Sequence, residues 1–213
     1  LLYPVPRREN RHQLGFTDAL PFVGVDVWTA YEVSWLNDHG VPQVAIAEVF
    51  FPCEAANLVE SKSFKLYLNS FNQTCFADAD QVKNTLQQDL SRCAGAAVTV
   101  VLFAVEEFPL LPQPDFICID QLAVNCDQYE PEAALLKVLP ELSQQKWCSH
   151  VFRSLCPVTG QPDWASIYIE CTGKTLVKED LLRYLVSYRL HQGFHEQCVE
   201  MMYRDILAVT AAS

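Results

Sequence analysis

A thiol and a carboxylate stand seven positions apart in Leu155-Cys156-Pro157-Val158-Thr159-Gly160-Gln161-Pro162-Asp163-Trp164. Before them His150–Leu155 is strand-like. After them Ile167 and Ile169 alternate with Ser166, Tyr168 and Glu170, the period of a half-buried strand. Two prolines and a glycine punctuate the connection. The stretch therefore predicts a hairpin with Cys156 ending one strand and Asp163 starting the next. A soft nucleophile beside a proton donor can run covalent catalysis, provided the thiol ionises. A free cysteine titrates near about 8.5, so His195 or a cluster of backbone amides would have to assist it. The plainer reading is a buried reduced thiol acting as a small hydrophobe.

Two further stretches carry chemistry-bearing groups. Leu58-Val59-Glu60-Ser61-Lys62-Ser63-Phe64-Lys65 places a carboxylate, two hydroxyls and two ammonium groups at the mouth of a helix. Amides at a helix start attract anions and Lys62 adds a point charge, whereas Glu60 suits a ligand presenting N–H donors. A capping carboxylate in a solvated first turn is the alternative. Phe194-His195-Glu196-Gln197-Cys198 offers a stacking ring, a proton shuttle and an acceptor. It is not the zinc-protease motif, which needs a second His four positions on. A helix cap with an exposed histidine would explain it equally.

Composition limits the partners. The 213 residues carry a formal net charge of −11, the wrong sign for a nucleic-acid groove, and no polybasic membrane patch. No apolar run is long enough to span a bilayer, and Leu1–Arg8 does not read as a secretory leader. A small-molecule partner is expected. The nine cysteines are scattered, with no CxxC pair. Structural zinc sites usually bring such pairs, so no metal is expected. Their number is odd, against a disulfide scaffold, and read as buried reduced thiols they point to a reducing compartment, most simply the cytoplasm. A chain that does not open on Met is expected to begin inside a longer gene product.

The elements that must position these groups follow from periodicity. Leu1 to Leu20 is polar and proline-bearing and reads as an extended arm. Val23–Leu36 and Gln43–Phe51 read as strands around Asn37-Asp38-His39-Gly40. A helix follows Asn57, ending about Leu68, and a second spans Gln81–Cys93. Asp78 is available to cap the latter, and Val82, Leu86 and Leu90 fall on one face. Ala97–Val105 and Phe116–Leu122 read as further strands. Residues 125–146 turn acidic and irregular and read as a linker. After the hairpin come helices from about Val177 to Leu190 and His195 to Val209. Strand, turn, strand, helix, helix thus occurs twice, so residues 1–124 and 147–213 read as duplicated α+β modules of antiparallel sheet with helices on one face. The second module stops where its matching strands should begin.

Together these segments resemble the NADPH-dependent 7-cyano-7-deazaguanine reductases, nitrile reductases of the queuosine (tRNA modification) pathway, in their long two-module form. The resemblance rests on Glu60-Ser61-Lys62-Ser63-Phe64-Lys65-Leu66-Tyr67, on Cys156 with Gln161-Pro162-Asp163-Trp164, and on Phe194-His195-Glu196-Gln197-Cys198. It implies tandem tunnelling-fold modules and a homodimer. It implies that Cys156 attacks the nitrile carbon to form a thioimide, that Asp163 protonates the nitrogen, and that His195 assists proton transfer. Glu60 and Glu196 would accept from the deazaguanine N–H groups, Phe194 would lie against the ring, and Val59 and Ser61 would offer backbone contacts. The substrate site would then draw on both modules or subunits. Ser61 and Lys62 would hold NADPH. The family also carries an arginine-rich segment after the last helix that helps hold the NADPH phosphates. Either the chain continues beyond Ser213 or this form binds cofactor poorly. The region around 133–146 is shorter than the family leads one to expect. Two other readings remain: a non-catalytic purine- or pterin-binding scaffold, and a Cys-dependent hydrolase or transferase on the same fold.

Overall fold

In a computed structural model, residues 1–17, 19–109 and 114–211 are described. The chain divides into two units, Leu1–Leu111 and Pro112–Ser213. Each is α+β and is built on one long antiparallel strand pair.

In the first unit β1 (Pro4–Pro6) and helix α1 (Arg8–Gln13) precede β2 (Val25–Leu36) and β3 (Pro42–Pro52). The β2–β3 turn is set by Asn37, whose side-chain oxygen accepts from the N–H groups of His39 and Val41. Strand β4 (Asn57–Val59), helices α2 (Ser61–Asn69) and α3 (Ala79–Ala94) and strand β5 (Thr99–Phe103) follow. The sheet order is β2-β3-β5, with β1 pairing β4 apart from it. Strand alternation turns Ala45, Ala47, Val49 and Phe51 toward the core, where they meet Phe64, Leu68, Val82, Leu86 and Leu90. Each such buried leucine contributes about 2 kcal/mol of apolar transfer. The expected α3 cap is present: Asp78 accepts from the Gln81 N–H.

The first twenty residues are more than an arm. Strand β1 pairs with β4, and Arg7 and Arg11 are buried, ion-paired to Asp26 and bonded to the Cys53 carbonyl respectively. Polar composition concealed this, because a guanidinium can be buried where its donors are matched. Asp18 lies outside the described residues.

In the second unit β6 (Ile117–Cys118) runs parallel to β7 (Val138–Leu155), and β7 pairs antiparallel with β8 (Pro162–Leu176). Helices α4 (Lys178–Ser187) and α5 (His195–Thr210) follow, joined through a 3-10 turn at Tyr188–Leu190. Leu181, Tyr184, Leu185, Tyr188, Met202 and Ile206 pack against Phe152 and Leu176. Gly173 lets α5 approach β8: a Cβ there would lie 2.3 Å from the Thr210 carbonyl oxygen.

Two sequence expectations need correction here. The strand read at Phe116–Leu122 is only two residues long and pairs with β7, so it belongs with the second unit. The segment read as a linker at 125–146 is irregular only as far as Lys137. From Val138 it is already β7, because its residues pair with β8 back to Leu176. Prolines and acidic residues masked a strand whose early part is largely exposed and so lacks a clean apolar period.

Candidate active site

The hairpin between β7 and β8 forms as expected. Leu155 pairs with Pro162, Ser154 with Asp163 and Arg153 with Trp164. The turn is closed through Cys156 itself, whose N–H donates to the Gln161 carbonyl at 2.8 Å and whose carbonyl accepts from the Gly160 N–H at 2.8 Å. Gly160 adopts φ +68°, the left-handed region that strains a side-chain-bearing residue. The backbone of the candidate nucleophile is therefore held at both polar groups. Cys156 is half-buried.

The other flank of this strand end receives the Phe194 segment. The Leu155 N–H donates to the His191 carbonyl at 2.8 Å, and the Gly193 N–H donates to the Leu155 carbonyl at 3.1 Å. Leu155 and Gln192 thus form a parallel bridge. A Cβ on Gly193 would lie 2.8 Å from the His191 ring and 3.6 Å from Cys198 Sγ, so glycine permits the close approach. This strap delivers Phe194, His195 and Glu196 to the start of α5. The helix entry is fixed by Gln197, whose side-chain oxygen accepts from the Phe194 N–H at 3.2 Å.

Phe152 and Ser154 share the face of β7 turned toward the helices, and Asp163 enters the same face as the partner of Ser154. The His195 ring packs edge-on against Phe152 with centroids 6.1 Å apart. Its Nε2 is buried and makes no hydrogen bond among the described residues. Such an orphan costs roughly 1–3 kcal/mol unless a ligand completes it. The Cys198 thiol lies beneath, pushed up to about 12 mainly by burial, with Glu196 and Asp163 adding to the rise. Both carboxylates therefore act on one buried point at the foot of α5. Ser154 opposes the rise from beside the same thiol, yet its oxygen makes no bond of normal geometry.

Ser154, Cys198 and Gly193 were missed as site residues by sequence reasoning. Ser154 and Gly193 are small residues beside the motifs and Cys198 closes one of them, signals too frequent to single out. Trp164 was quoted in the motif, but its setting was hidden. The indole is over half exposed and lies against Arg153 and Arg189 at 5.9 and 5.7 Å.

In the first unit β4 leads directly into the Glu60 segment. Val59 is buried, so only its backbone is available to a ligand. Glu60 is the N-cap of α2, and its two oxygens accept from the N–H groups of Lys62 (3.0 Å) and Ser63 (2.7 Å). An anion at this helix start would find those two amides taken. The carboxylate retains lone pairs for further donors. Ser61 and Lys62 are exposed and line a cleft of about 850 Å³ with Trp28, Tyr31, Phe64 and Lys65.

The α+β chain thus holds Cys156 in a hairpin turn, Asp163 on the next strand and His195 at the start of α5. Comparison with known proteins adds the family. A family described as "Nitrile reductase, 7-cyano-7-deazaguanine-reductase N-term" matches residues 1–102. A second, described as "QueF-like protein", matches residues 162–213 and so includes Asp163 and the Phe194 segment but not Cys156. The chain is 51% identical over 210 residues to the NADPH-dependent 7-cyano-7-deazaguanine reductase of Dechloromonas aromatica, covering 97% of this chain and 74% of that protein. Identity to the enzymes of the same name from Burkholderia lata and Desulfotalea psychrophila is 49% and 48%, over 97% of this chain and 77% and 76% of theirs. The chain belongs to the 7-cyano-7-deazaguanine reductase family.

Proposed function

We propose that this protein reduces the nitrile of 7-cyano-7-deazaguanine to the aminomethyl group, using NADPH and a covalent bond to Cys156. The observation that carries the reading is the hairpin turn closed through both polar groups of Cys156, with Asp163 two positions into its second arm.

Cys156 Sγ, as thiolate, adds to the nitrile carbon, and the displaced π pair on nitrogen takes a proton from Asp163, leaving a thioimide. Once that carbon has gained a first hydride, Sγ would leave with the C–S electron pair as the nitrogen lone pair forms the C=N bond, freeing an imine for the second reduction. His195, with an orphan buried nitrogen beside Phe152, hands protons to the nitrogen as it becomes an amine. When bound, NADPH supplies the hydrides, two per nitrile. The exposed ammonium of Lys62 and hydroxyl of Ser61, on the rim of a wide cleft, suit a phosphate-bearing cofactor and would hold it. Glu60 and Glu196 accept from ring N–H groups, Phe194 covers the ring face, and Val59 and Ser61 add backbone contacts. A base unable to match a carboxylate that it covers is disfavoured by about 1–3 kcal/mol.

The repeated order of a long strand pair followed by two helices supports tandem tunnelling-fold modules. The family resemblance supports a homodimer. Nine free cysteines support a reducing, cytoplasmic setting. No helix among the described residues is long and apolar enough to cross a membrane.

Intact mass after mixing with 7-cyano-7-deazaguanine tests the reading. An adduct on Cys156 that NADPH discharges is expected. Reversible binding with no adduct would favour a purine-binding scaffold, and hydrolysis of the ligand a Cys-dependent hydrolase.

A further inference from the structure

On the second unit, three side chains with no part in the proposed reduction converge where β6 meets β7. Cys118 and Cys148 are register partners in the parallel pair. His150, two residues on, shares the face of Cys148. Cys118 Sγ, Cys148 Sγ and a ring nitrogen of His150 all lie within 4.8 Å of one another.

A fourth group points to a ligand. Asp120 uses one carboxylate oxygen to accept from the His150 N–H at 2.8 Å, while its Oδ1 is buried and makes no hydrogen bond among the described residues. His150 Nδ1 lies 2.8 Å from Ser166 Oγ, which leaves Nε2 for another partner. A ligating histidine is commonly oriented by such a bond at its other nitrogen.

We propose that Cys118, Cys148 and His150 bind a thiophilic divalent transition metal, zinc being the reference ion, with Asp120 holding the His150 main chain in place and the fourth position left to water. Two sulfurs and one imidazole make a zinc donor set with an open fourth position, not a calcium or magnesium one. Zinc–sulfur bonds near 2.3 Å and zinc–nitrogen bonds near 2.0 Å require ligand atoms about 3.3–3.8 Å apart, a contraction on the order of 1 Å from the present spread. Cys118 and His150 are exposed, so an ion can enter. On binding, each thiol releases its proton to solvent and the sulfur pairs bond to the metal. The ion would pin the two-residue β6 to β7. Thirty positions separate the two cysteines, so no local motif announces the site.

The test is cobalt uptake by the reduced protein after chelator treatment, read from the visible bands of a tetrahedral thiolate site. One Co²⁺ per chain is expected, displaced by Zn²⁺. Cys148→Ser and, separately, His150→Ala should lower affinity at least about 10-fold, and Asp120→Asn about 10- to 100-fold. Circular dichroism checks that each variant is folded, and Cys156→Ala should leave the bands unchanged. The proposal is overturned if the parent protein shows no such bands. It is equally overturned if they survive in folded Cys148→Ser and His150→Ala, or if they depend on Cys156.

Discussion

Ser154 and Asp163 are register partners across the β7–β8 ladder, and Ser154 is fully buried with its hydroxyl oxygen lacking a hydrogen bond of normal geometry. The aspartate therefore enters the site from the side of the sheet packed against the helices. Cys156 follows two residues after Ser154, where the strand ends in the turn. The proposed proton donor and nucleophile are thus tied through one rigid hairpin end, as catalytic geometry demands.

Exchange of Asp163 for Asn keeps the shape and removes the acid. Turnover should fall by about 10²- to 10⁴-fold, the usual span for general acid catalysis, with ligand affinity kept. Cys156→Ala should abolish both the adduct and turnover, again with affinity kept. Steady-state kinetics together with intact mass separate the two effects. Unchanged turnover in either variant removes that residue from the mechanism.

Ser154→Ala deletes a buried oxygen that makes no normal hydrogen bond. Stability should change by less than about 1 kcal/mol, since no partner is orphaned. Thermal melting checks this, and a loss above about 2 kcal/mol would mean the hydroxyl is bonded after all.

Glu60 and Asp78 both cap helices, through Lys62/Ser63 and Gln81 respectively. Alanine at either position should cost about 0.5–2 kcal/mol. Only Glu60→Ala should also weaken substrate binding, measured by calorimetry. Equal affinities in the two variants would reduce Glu60 to a cap.

His191 titrates below the usual histidine range because it is partly desolvated, an effect that Glu130 opposes. The unfolded chain therefore binds the His191 proton more readily than the folded one. The contribution is full at pH above about 6.5 and is lost as pH falls from there toward the depressed folded value. Its main-chain carbonyl holds Leu155, so the strap is expected to loosen on acidification. Melting temperature against pH should show a decline on the acid side that is shallower in His191→Gln.

Gly173→Ala would drive a Cβ to 2.3 Å from the Thr210 carbonyl oxygen. Backbone must shift, at a cost of about 1–3 kcal/mol. An unchanged melting temperature would show that the end of α5 is not packed on β8 as described.

Much of this was legible along the chain because the signals are local. The alternation of Ile167 and Ile169, the Pro and Gly residues around Cys156, and the spacing of Val82, Leu86 and Leu90 each report a short-range rule. They determined the hairpin, helix α3 and the α+β class, and the three motif segments determined the family. What escaped depends on partners distant in sequence. The burial of Arg7 and Arg11 follows from Asp26 and the Cys53 carbonyl, not from their own neighbours. Strand β7 begins at Val138 because β8 lies opposite it. The strap at 191–193, the orphan nitrogen of His195, and the meeting of Cys118 with Cys148 and His150 exist only once strands and helices close on one another. Sequence alone thus determined which chemical groups this protein possesses and which short elements carry them. Tertiary packing decided which of those groups share a desolvated space, where an unmatched polar atom or a paired thiol acquires its chemical meaning.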